Sequence, residues 1–319
     1  MTVWNDFLAH TLADKQAHDN ERYLTPMARD GLYAEVNGQR LLNLAGNDYL
    51  ALGTRNEWQR EFGQQLEAQG QYWSSSSSQL LTGHSPLHQQ VEATLARLFQ
   101  REAALTFASG YQMNFGLLNA LSTGKVLILA DKLVHASMVD GLLISKAKFL
   151  RYRHNDMAHL HALLCQHHAA FERIIIVTES VFSMDGDIAD LQQLVAFKRE
   201  FANVAVYVDE AHAIGVRGEC GLGCAEEQGC VAEIDFLVGT FGKAVHSVGG
   251  YVLCSRLARD YLINHMRPLI FSTALPPINM AWTDFVLQRL HSLQTERRHL
   301  QQLSRSLIAK VNTLHGHCV

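Results

Sequence analysis

Two residues stand where a buried, reactive pair could form. Asp209 follows the apolar run at 204–208, and Lys243 follows another apolar run within Gly239-Thr-Phe-Gly-Lys243. A carboxylate at the end of a buried strand is costly unless it is paired, and a lysine among small residues is poorly suited to a solvated surface. Each side chain therefore requires a partner.

Pyridoxal phosphate (PLP) would provide a partner for both side chains. Its ring nitrogen is kept protonated by a carboxylate, and its aldehyde condenses with a lysine amine. A direct ion pair between Asp209 and Lys243 is the alternative explanation. These two residues alone leave both interpretations open.

Three further segments could serve the same cofactor. The segment at 107–114 follows a predicted strand and leads into a helix, so its N–H groups and the helix dipole could hold a phosphate. His135 opens another helix, where its imidazole could lie flat on a cofactor ring. Ser183 and His212 could donate hydrogen bonds near the phenolic oxygen of the ring and tune the pKa of the Schiff base. Ordinary turns, caps and satisfied polar groups are the alternatives.

Apolar runs that predict strands alternate with amphipathic helical segments along the chain. The strands are predicted at 104–107, 126–129, 174–178, 204–208, 236–238 and 251–253, and the helices at 87–99, 134–147 and 188–201. This alternation indicates an α/β domain with a mainly parallel sheet. Such sheets bind ligands at the carboxyl ends of their strands, which is where the segments above fall.

The alternating region is flanked by segments of other character. Residues 1–45 are predicted to form a helical arm and a hairpin with its turn at Asn37-Gly38, and 46–276 to form the large domain. From residue 277 to 319 the pattern is helical and charged, which predicts the start of a second, smaller domain. The serine run at 74–78 is predicted to be an ordered loop at a site or subunit interface, with a flexible linker as the alternative.

Composition excludes several classes of protein. Of 319 residues, 48% are hydrophobic, and the net charge of −4 without a basic run excludes the footprint of a nucleic-acid binder. We find no signal peptide and no apolar run long enough to cross a membrane, so we expect a cytoplasmic protein. No Gly-x-Gly-x-x-Gly opens a helix after a strand, which argues against a dinucleotide-binding oxidoreductase.

The six cysteines form no paired framework, so we expect free thiols. Two groups of residues could suggest a metal, but neither has zinc-site spacing, and we therefore expect no metal site. They are His159, His161, His167 and His168 in one group, and Cys220, Cys224 and Cys230 in the other.

Six motifs together closely resemble the α-oxoamine synthases, and the resemblance runs in order over residues 20–277. The motifs are Asn47-Asp-Tyr-Leu50, Leu80-Leu-Thr-Gly-His84, Asp131-Lys-Leu-Val-His-Ala-Ser137, Val181-Phe-Ser-Met-Asp-Gly186, Val208-Asp-Glu-Ala-His212 and Gly239-Thr-Phe-Gly-Lys243. The resemblance implies PLP fold type I and a homodimer with active sites at its interface. It also implies the condensation of an amino acid with an acyl thioester, with release of carbon dioxide.

The resemblance also implies roles for individual residues. Lys243 would form the Schiff base and act as general base, Asp209 would stabilise the pyridinium, and His135 would stack on the ring and face the substrate. Further cofactor contacts would come from Gly110, Tyr111, Glu179, Ser183, His212 and Thr240, and from Ser272 or Thr273 across the subunit interface. Arg22 and Asn47 are candidate substrate contacts.

The stretches at 240–244 and 270–277 look most like the members that condense L-alanine with a pimeloyl thioester of coenzyme A or acyl carrier protein, in biotin synthesis. Another amino acid, such as glycine or serine, with another thioester is the alternative, as is an inactive PLP-binding protein. The small domain of the family extends further than this chain, so we expect 277–319 to be an incomplete part of it. His246 replaces a usual glycine and 73–79 a glycine-rich segment, so access for the acyl chain could differ.

Overall fold

The computed structural model describes residues 2–69 and 73–315, and the chain divides into two compact units, Met1–Gly46 and Asn47–Val319. The first unit contains helix α1 (Val3–Ala17) and an antiparallel sheet of β1 (Ala28–Asp30), β2 (Tyr33–Val36) and β3 (Gln39–Leu42). Between β2 and β3, Asn37 and Gly38 have φ angles of 51° and 76°. A two-residue hairpin turn requires this left-handed backbone, so the predicted hairpin is present.

The second unit is built on a seven-stranded sheet. Its strands are β4 (Ala103–Phe107), β5 (Val126–Asp131), β6 (Lys148–Tyr152), β7 (Arg173–Glu179), β8 (Val204–Asp209), β9 (Phe236–Thr240) and β10 (Gly250–Cys254). They lie in the order β4-β10-β9-β8-β7-β5-β6. The pairings from β6 to β9 are parallel, and β10 is antiparallel to both of its neighbours. The prediction of a mainly parallel α/β sheet is confirmed.

The central strands are apolar on both faces because helices cover both sides of the sheet. In β5, Leu127 and Leu129 belong to one hydrophobic cluster, whereas Val126 and Ile128 belong to the other. This alternation follows from the two-residue period of a strand. The sheet is therefore the middle of three layers.

The helices of this unit follow the strands or flank the sheet. They are α2 (Asn56–Gln69), α3 (Pro86–Leu98), α4 (Gly110–Leu121), α5 (Ala136–Ile144), α6 (Met157–His167), α7 (Leu191–Glu200), α8 (Cys224–Glu227), α9 (Arg256–His265), α10 (Arg267–Ile270), α11 (Pro277–Leu287) and α12 (Gln294–His315). The predicted helices correspond to α3, α5 and α7. Helix α7 starts later than predicted because the Asp190 side chain caps it, accepting a hydrogen bond from Gln193 N at 2.9 Å.

The serine run at 74–78 is held by hydrogen bonds to one neighbouring segment. Ser75 Oγ donates to the Leu275 carbonyl at 2.7 Å, and Ala274 N donates to the Ser77 carbonyl at 2.9 Å. Ser78 also forms an isolated bridge with Thr273. The run is therefore an ordered loop, and its place at a subunit interface stays a prediction.

Other expectations concern boundaries, thiols and membranes. Helix α11 begins at Pro277, but the predicted domain limits at 45/46 and 276/277 stay predictions. The five cysteines in the described residues are free, and Cys318 lies outside them. Within 2–69 and 73–315, no helix is both long and apolar enough to cross a bilayer.

Candidate active site

A cavity of about 160 Å³ lies at the carboxyl ends of the central strands. Glu179 ends β7 and Asp209 ends β8, while Thr240 ends β9 and Lys243 follows three residues later. Because β7, β8 and β9 are neighbouring parallel strands, their ends meet at one edge of the sheet. Eight of the residues singled out in the sequence line the cavity, namely Gly110, Tyr111, His135, Glu179, Asp209, His212, Thr240 and Lys243.

Asp209 is only 4% exposed and is held by two donors. Its Oδ2 accepts from Asn114 Nδ2 at 2.7 Å, and its Oδ1 accepts from Ala211 N at 2.8 Å. Asn114 is held in turn, because its Oδ1 accepts from Tyr207 OH at 2.5 Å and its Nδ2 also donates to Ser137 Oγ at 3.0 Å. These bonds offset the cost of burying the carboxylate and fix its orientation.

Lys243 contacts an imidazole rather than a carboxylate. Its Nζ lies 2.6 Å from His212 Nε2, and no ion pair joins it to Asp209 in the described part of the chain. Burial lowers the pKa of Lys243, although the negative charges of Asp209 and Glu179 partly oppose this shift. A lysine whose pKa is lowered is more often the neutral amine, which is the nucleophilic form. The direct ion pair considered from the sequence is therefore not formed.

A chain of hydrogen bonds links Lys243 to Asn47, the first residue of the second unit. His212 Nδ1 lies 2.8 Å from Tyr49 OH, and Tyr49 OH donates to Asn47 Oδ1 at 3.2 Å. Because Tyr49 OH gives its proton to Asn47, its oxygen accepts from His212 Nδ1, and the unprotonated Nε2 of the neutral ring accepts from Lys243. Burial and the nearby charge of Lys243 lower the pKa of His212 to about 4, which agrees with a neutral ring.

His135 is the N-cap residue of α5 and is fixed through its backbone and its ring. Its N–H donates to Glu179 Oε1 at 2.6 Å, and its Nδ1 lies 2.8 Å from Ser137 Oγ. Burial and the charge of Asp209 raise the pKa of Glu179 to about 8. Glu179 thus holds the His135 backbone in place, while the stacking role of His135 stays a prediction.

The start of α4 provides donors for an anion. Ser109 caps this helix, accepting from Gln112 N at 3.1 Å, and Gly110 is its first residue. A Cβ added at Gly110 would lie 3.4 Å from Thr240 Cβ, so the start of α4 and Thr240 lie within van der Waals reach of each other. The free N–H groups of the first helical turn face this space, and Thr240, whose hydroxyl donates to the Gly249 carbonyl at 2.8 Å, lines it from the end of β9.

Together these groups match the chemistry of PLP. Lys243 offers an amine for the aldehyde, Asp209 a buried carboxylate for the ring nitrogen, and the start of α4 a cradle for the phosphate. The cavity brings all three together at the expected edge of the sheet. The described residues therefore fit this cofactor.

Several predicted residues lie elsewhere. Ser183 is exposed and lines a second cavity, next to the first, while Ser272 and Thr273 line a small pocket without Lys243. Asn47 is connected to the site through Tyr49, whose hydroxyl donates to Asn47 Oδ1. Arg22 belongs to the first unit and is exposed, so its role stays a prediction.

His246 adopts a backbone conformation that is more usual for glycine. Its φ angle is 54°, in the left-handed region that favours glycine, and its Nδ1 lies 3.3 Å from Asp48 Oδ2. The replacement therefore preserves the shape of the loop after Lys243 and adds a contact with the Asn47–Leu50 motif.

Three residues that support the site were not singled out in the sequence. Asn114 and Tyr207 orient Asp209, and Tyr49 orients His212. Each lies within or beside a motif that was quoted for other residues. The only signal in the sequence was this proximity.

Comparisons with known proteins give a consistent result. The model of the family "Aminotransferase class I and II" matches residues 39–318. A protein of Pasteurella multocida (strain Pm70) named "Putative 8-amino-7-oxononanoate synthase" is 54% identical over 296 residues, which are 93% of this chain and 76% of that protein.

Two solved structures are also similar. Serine palmitoyltransferase of Sphingomonas wittichii has a TM-score of 0.87 and 30% identity, covering 98% of this chain and 78% of that one. A serine palmitoyltransferase variant from S. paucimobilis with a bound PLP–myriocin aldimine has a TM-score of 0.87 and 27% identity, covering 99% of this chain and 79% of that one.

Proposed function

Because the chain belongs to the aminotransferase class I and II family, and to the α-oxoamine synthases within it, we propose that it condenses L-alanine with a pimeloyl thioester. The products would be 8-amino-7-oxononanoate, carbon dioxide and the free thiol of coenzyme A or acyl carrier protein. The enzyme would act as a cytoplasmic homodimer in biotin synthesis.

The family membership confirms four predictions made from the sequence. These are the resemblance to α-oxoamine synthases, the PLP-dependent fold, PLP as the cofactor and an acyltransferase activity. When bound, PLP supplies an aldehyde that condenses with amines and a ring that accepts electrons.

The observation that carries the proposal is the placement of Lys243 and Asp209 in one cavity. Lys243 would hold the cofactor through its amine and then, once displaced by the amino acid, remove the proton from the α-carbon. Its lowered pKa supports this role, because a general base must be unprotonated at the pH of the reaction. Asp209 would keep a proton on the ring nitrogen, in the orientation set by Asn114.

The remaining residues of the cavity would position the reactants. His135 would cover one face of the ring, with its backbone fixed by Glu179. The start of α4 and Thr240 would hold the phosphate, and Ser272 or Thr273 would reach it from the partner subunit. A carbon–carbon bond would form at the thioester carbonyl as the thiolate leaves, and the carboxylate of alanine would leave as carbon dioxide.

A specific observation favours a second candidate function. Two serine palmitoyltransferases align over almost the whole chain with a TM-score of 0.87. Serine with a long-chain acyl thioester is therefore the alternative pair of substrates. The sequence identity of these neighbours, 30% and 27%, is lower than that of the relative from Pasteurella multocida at 54%.

A substrate matrix tests both candidates. Purified, PLP-loaded protein would be given alanine, glycine or serine with pimeloyl or palmitoyl coenzyme A, and thiol release and product mass would be measured. We expect thiol release with alanine and pimeloyl coenzyme A, and a product with the mass of 8-amino-7-oxononanoate. Selective turnover of serine with palmitoyl coenzyme A would reject the proposal in favour of the second candidate.

A further inference from the structure

Helices α6 and α7 bring three metal-ligating side chains together at the protein surface. His161 and Cys165 lie about one turn apart in α6, so their side chains project from the same side of that helix. Glu200 is the last residue of α7. One ligand atom from each of the three residues lies within 4.8 Å of the others. Neither group of residues considered for a metal in the sequence contains this set, because its third member comes from a separate helix.

The separations between these atoms are close to those of a tetrahedral zinc site. His161 Nε2 lies 2.9 and 3.1 Å from the two carboxylate oxygens of Glu200, and Cys165 Sγ lies 3.8 Å from the same nitrogen. Zinc binds sulfur at about 2.3 Å and nitrogen or oxygen at about 2.0–2.2 Å, so its ligand atoms lie about 3.4–3.6 Å from one another. Small movements of these side chains would bring all three into that geometry, and water would complete it.

The central ligand is already held in position. The His161 ring packs against two buried aromatic rings, with its centroid 5.2 Å from that of Phe197 and 5.8 Å from that of Phe201. Its side chain is still 39% exposed, and Cys165 and Glu200 are exposed as well. An ion can therefore approach the three residues directly from solvent, and a fixed ring loses less entropy when it binds.

The surroundings of the three residues favour a cation. Glu200 lies at the carboxyl end of α7, where the helix dipole is negative. The two basic residues before it are engaged elsewhere, since Lys198 pairs with Asp235 at 2.8 Å and Arg199 pairs with Glu233. The charge of the Glu200 carboxylate is therefore not neutralised by its neighbours in α7.

We propose that His161, Cys165 and Glu200 bind a zinc ion that links α6 to α7. Imidazole nitrogen, thiolate sulfur and carboxylate oxygen are the ligands that zinc takes in proteins, and a thiolate disfavours magnesium and calcium. The Cys165 thiol gives its proton to solvent on binding, because the thiolate is the form that binds metal. None of the three is among the described residues that line the cofactor cavity, so the ion stabilises the fold and takes no part in the proposed reaction.

The first test compares Cys165 with Cys220, another exposed free thiol, which belongs to no such group among the described residues. PLP-loaded protein would be treated with iodoacetamide in the presence of zinc chloride or of a chelator, and peptide mass spectrometry would give the labelling rate of each thiol. We expect zinc to slow the labelling of Cys165 by at least about 10-fold, because a metal-bound thiolate is a weaker nucleophile. Cys220 should change by less than about twofold. Equal labelling of Cys165 with and without zinc would overturn the proposal.

Ligand variants show whether the three residues act together. His161→Gln and Glu200→Gln should each raise the zinc concentration that half-protects Cys165 by at least about 10-fold. His167→Gln, at the end of the same helix and outside the group, is the matched control and should leave that concentration unchanged. Unchanged half-protection in both ligand variants would show that Cys165 binds zinc without His161 and Glu200, which contradicts the proposal.

A calorimetric unfolding scan tests the link between the helices. A ligand that binds the folded state raises the unfolding temperature, so zinc should raise the Tm of the PLP-loaded wild type more than that of Cys165→Ser. An equal rise in both proteins would place the stabilising ion elsewhere and overturn the assignment. Neither the labelling nor the scan depends on turnover, so both remain decisive if the proposed function fails.

Discussion

The two edges of the seven-stranded sheet carry cavities of very different size and character. The cavity at the edge where β5, β7 and β8 begin is larger, about 730 Å³, against about 160 Å³ at the carboxyl edge. Two of its charged lining residues are bonded within the protein: Arg101 donates to the carbonyls of Val231 and Ile234 at 2.6 Å, and Asp235 pairs with Lys198 at 2.8 Å.

The cavity at the carboxyl edge is smaller, but it holds titratable groups whose pKa values are shifted from their usual range. There the pKa of Glu179 is raised to about 8, and the pKa of Lys243 is lowered by burial. Shifted pKa values of this kind are typical of functional sites, where a bound ligand supplies the missing partner of the group. A carboxyl group with a raised pKa and an amine with a lowered pKa in one cavity, rather than a large volume, therefore distinguish the carboxyl edge from the opposite edge.

The largest effect is expected from removing the amine at the carboxyl edge. Lys243→Ala should lower kcat by at least about 10³-fold, because it deletes both the attachment point and the base. Borohydride reduction of the PLP-loaded protein, followed by mass spectrometry, should label the wild type and leave Lys243→Ala unlabelled. Lys198→Ala, at the other edge, is the control and should still be labelled; equal labelling of Lys243→Ala would refute the assignment.

The next effect concerns two carboxylates at opposite edges: Asp209, buried at the end of β8, and Asp235, which is partly exposed just before β9. Asp209→Asn should lower kcat by about 10²- to 10³-fold, because an amide cannot hold a proton on the ring nitrogen by charge. Asp235→Asn, whose parent carboxylate accepts from Val206 N at 2.9 Å, should instead lower thermal stability and keep kcat per folded molecule. Steady-state kinetics with a calorimetric unfolding scan on each variant checks this contrast. Similar kcat values for the two variants would remove the distinction between the edges.

The main residues of the active edge were predictable because each follows an apolar run. Lys243, Asp209 and His135 come after segments whose alternation with helices already indicates a parallel sheet, and parallel strands bring such residues to one edge. Strand β6 was not predicted. It is the outermost strand of the sheet, and Lys148 and Arg151 interrupt its apolar pattern.

The supporting contacts were not predictable for a different reason. Asn114 reaches Asp209 across 95 residues of sequence, and Tyr49 reaches His212 across 163. Such contacts depend on the order of strands in the sheet and on how the loops fold over it. Periodicity along the chain carries no information about either.

A smaller effect is expected from Tyr49, which acts on the site only through His212. Tyr49→Phe removes the oxygen that accepts from His212 Nδ1, so the ring is no longer held in one tautomer. We expect kcat to fall by about 3- to 10-fold, with the pH profile of kcat shifted, since the ring contacts Lys243. Kinetics between pH 6 and 9 test this, and Tyr261→Phe, on the surface helix α9, is the control. An unchanged pH profile would mean that Tyr49 only fills space.

The smallest effect is expected from His154, which stabilises the structure at the carboxyl edge. His154 lies 2.9 Å from Asp131 Oδ1 through Nδ1 and 2.8 Å from Asp187 Oδ2 through Nε2. Burial alone would lower the pKa of His154, but the bonds and charges of the two carboxylates outweigh it and raise this pKa above its usual value. The protonated ring therefore ties the end of β5 to the segment that carries Ser183.

The raised pKa determines how the stability conferred by His154 depends on pH. A folded-state pKa above the unfolded value means that the contribution is complete below about pH 6.5 and is lost as the pH rises through the folded-state pKa. His154→Gln should thus lower the free energy of unfolding by about 1–2 kcal/mol at pH 6 and by clearly less at pH 9. Urea unfolding at both values measures this. His161→Gln, whose partner Glu200 is half exposed, should cost less than about 1 kcal/mol at pH 6. A loss from His154→Gln that is independent of pH would show that His154 contributes by packing rather than by charge.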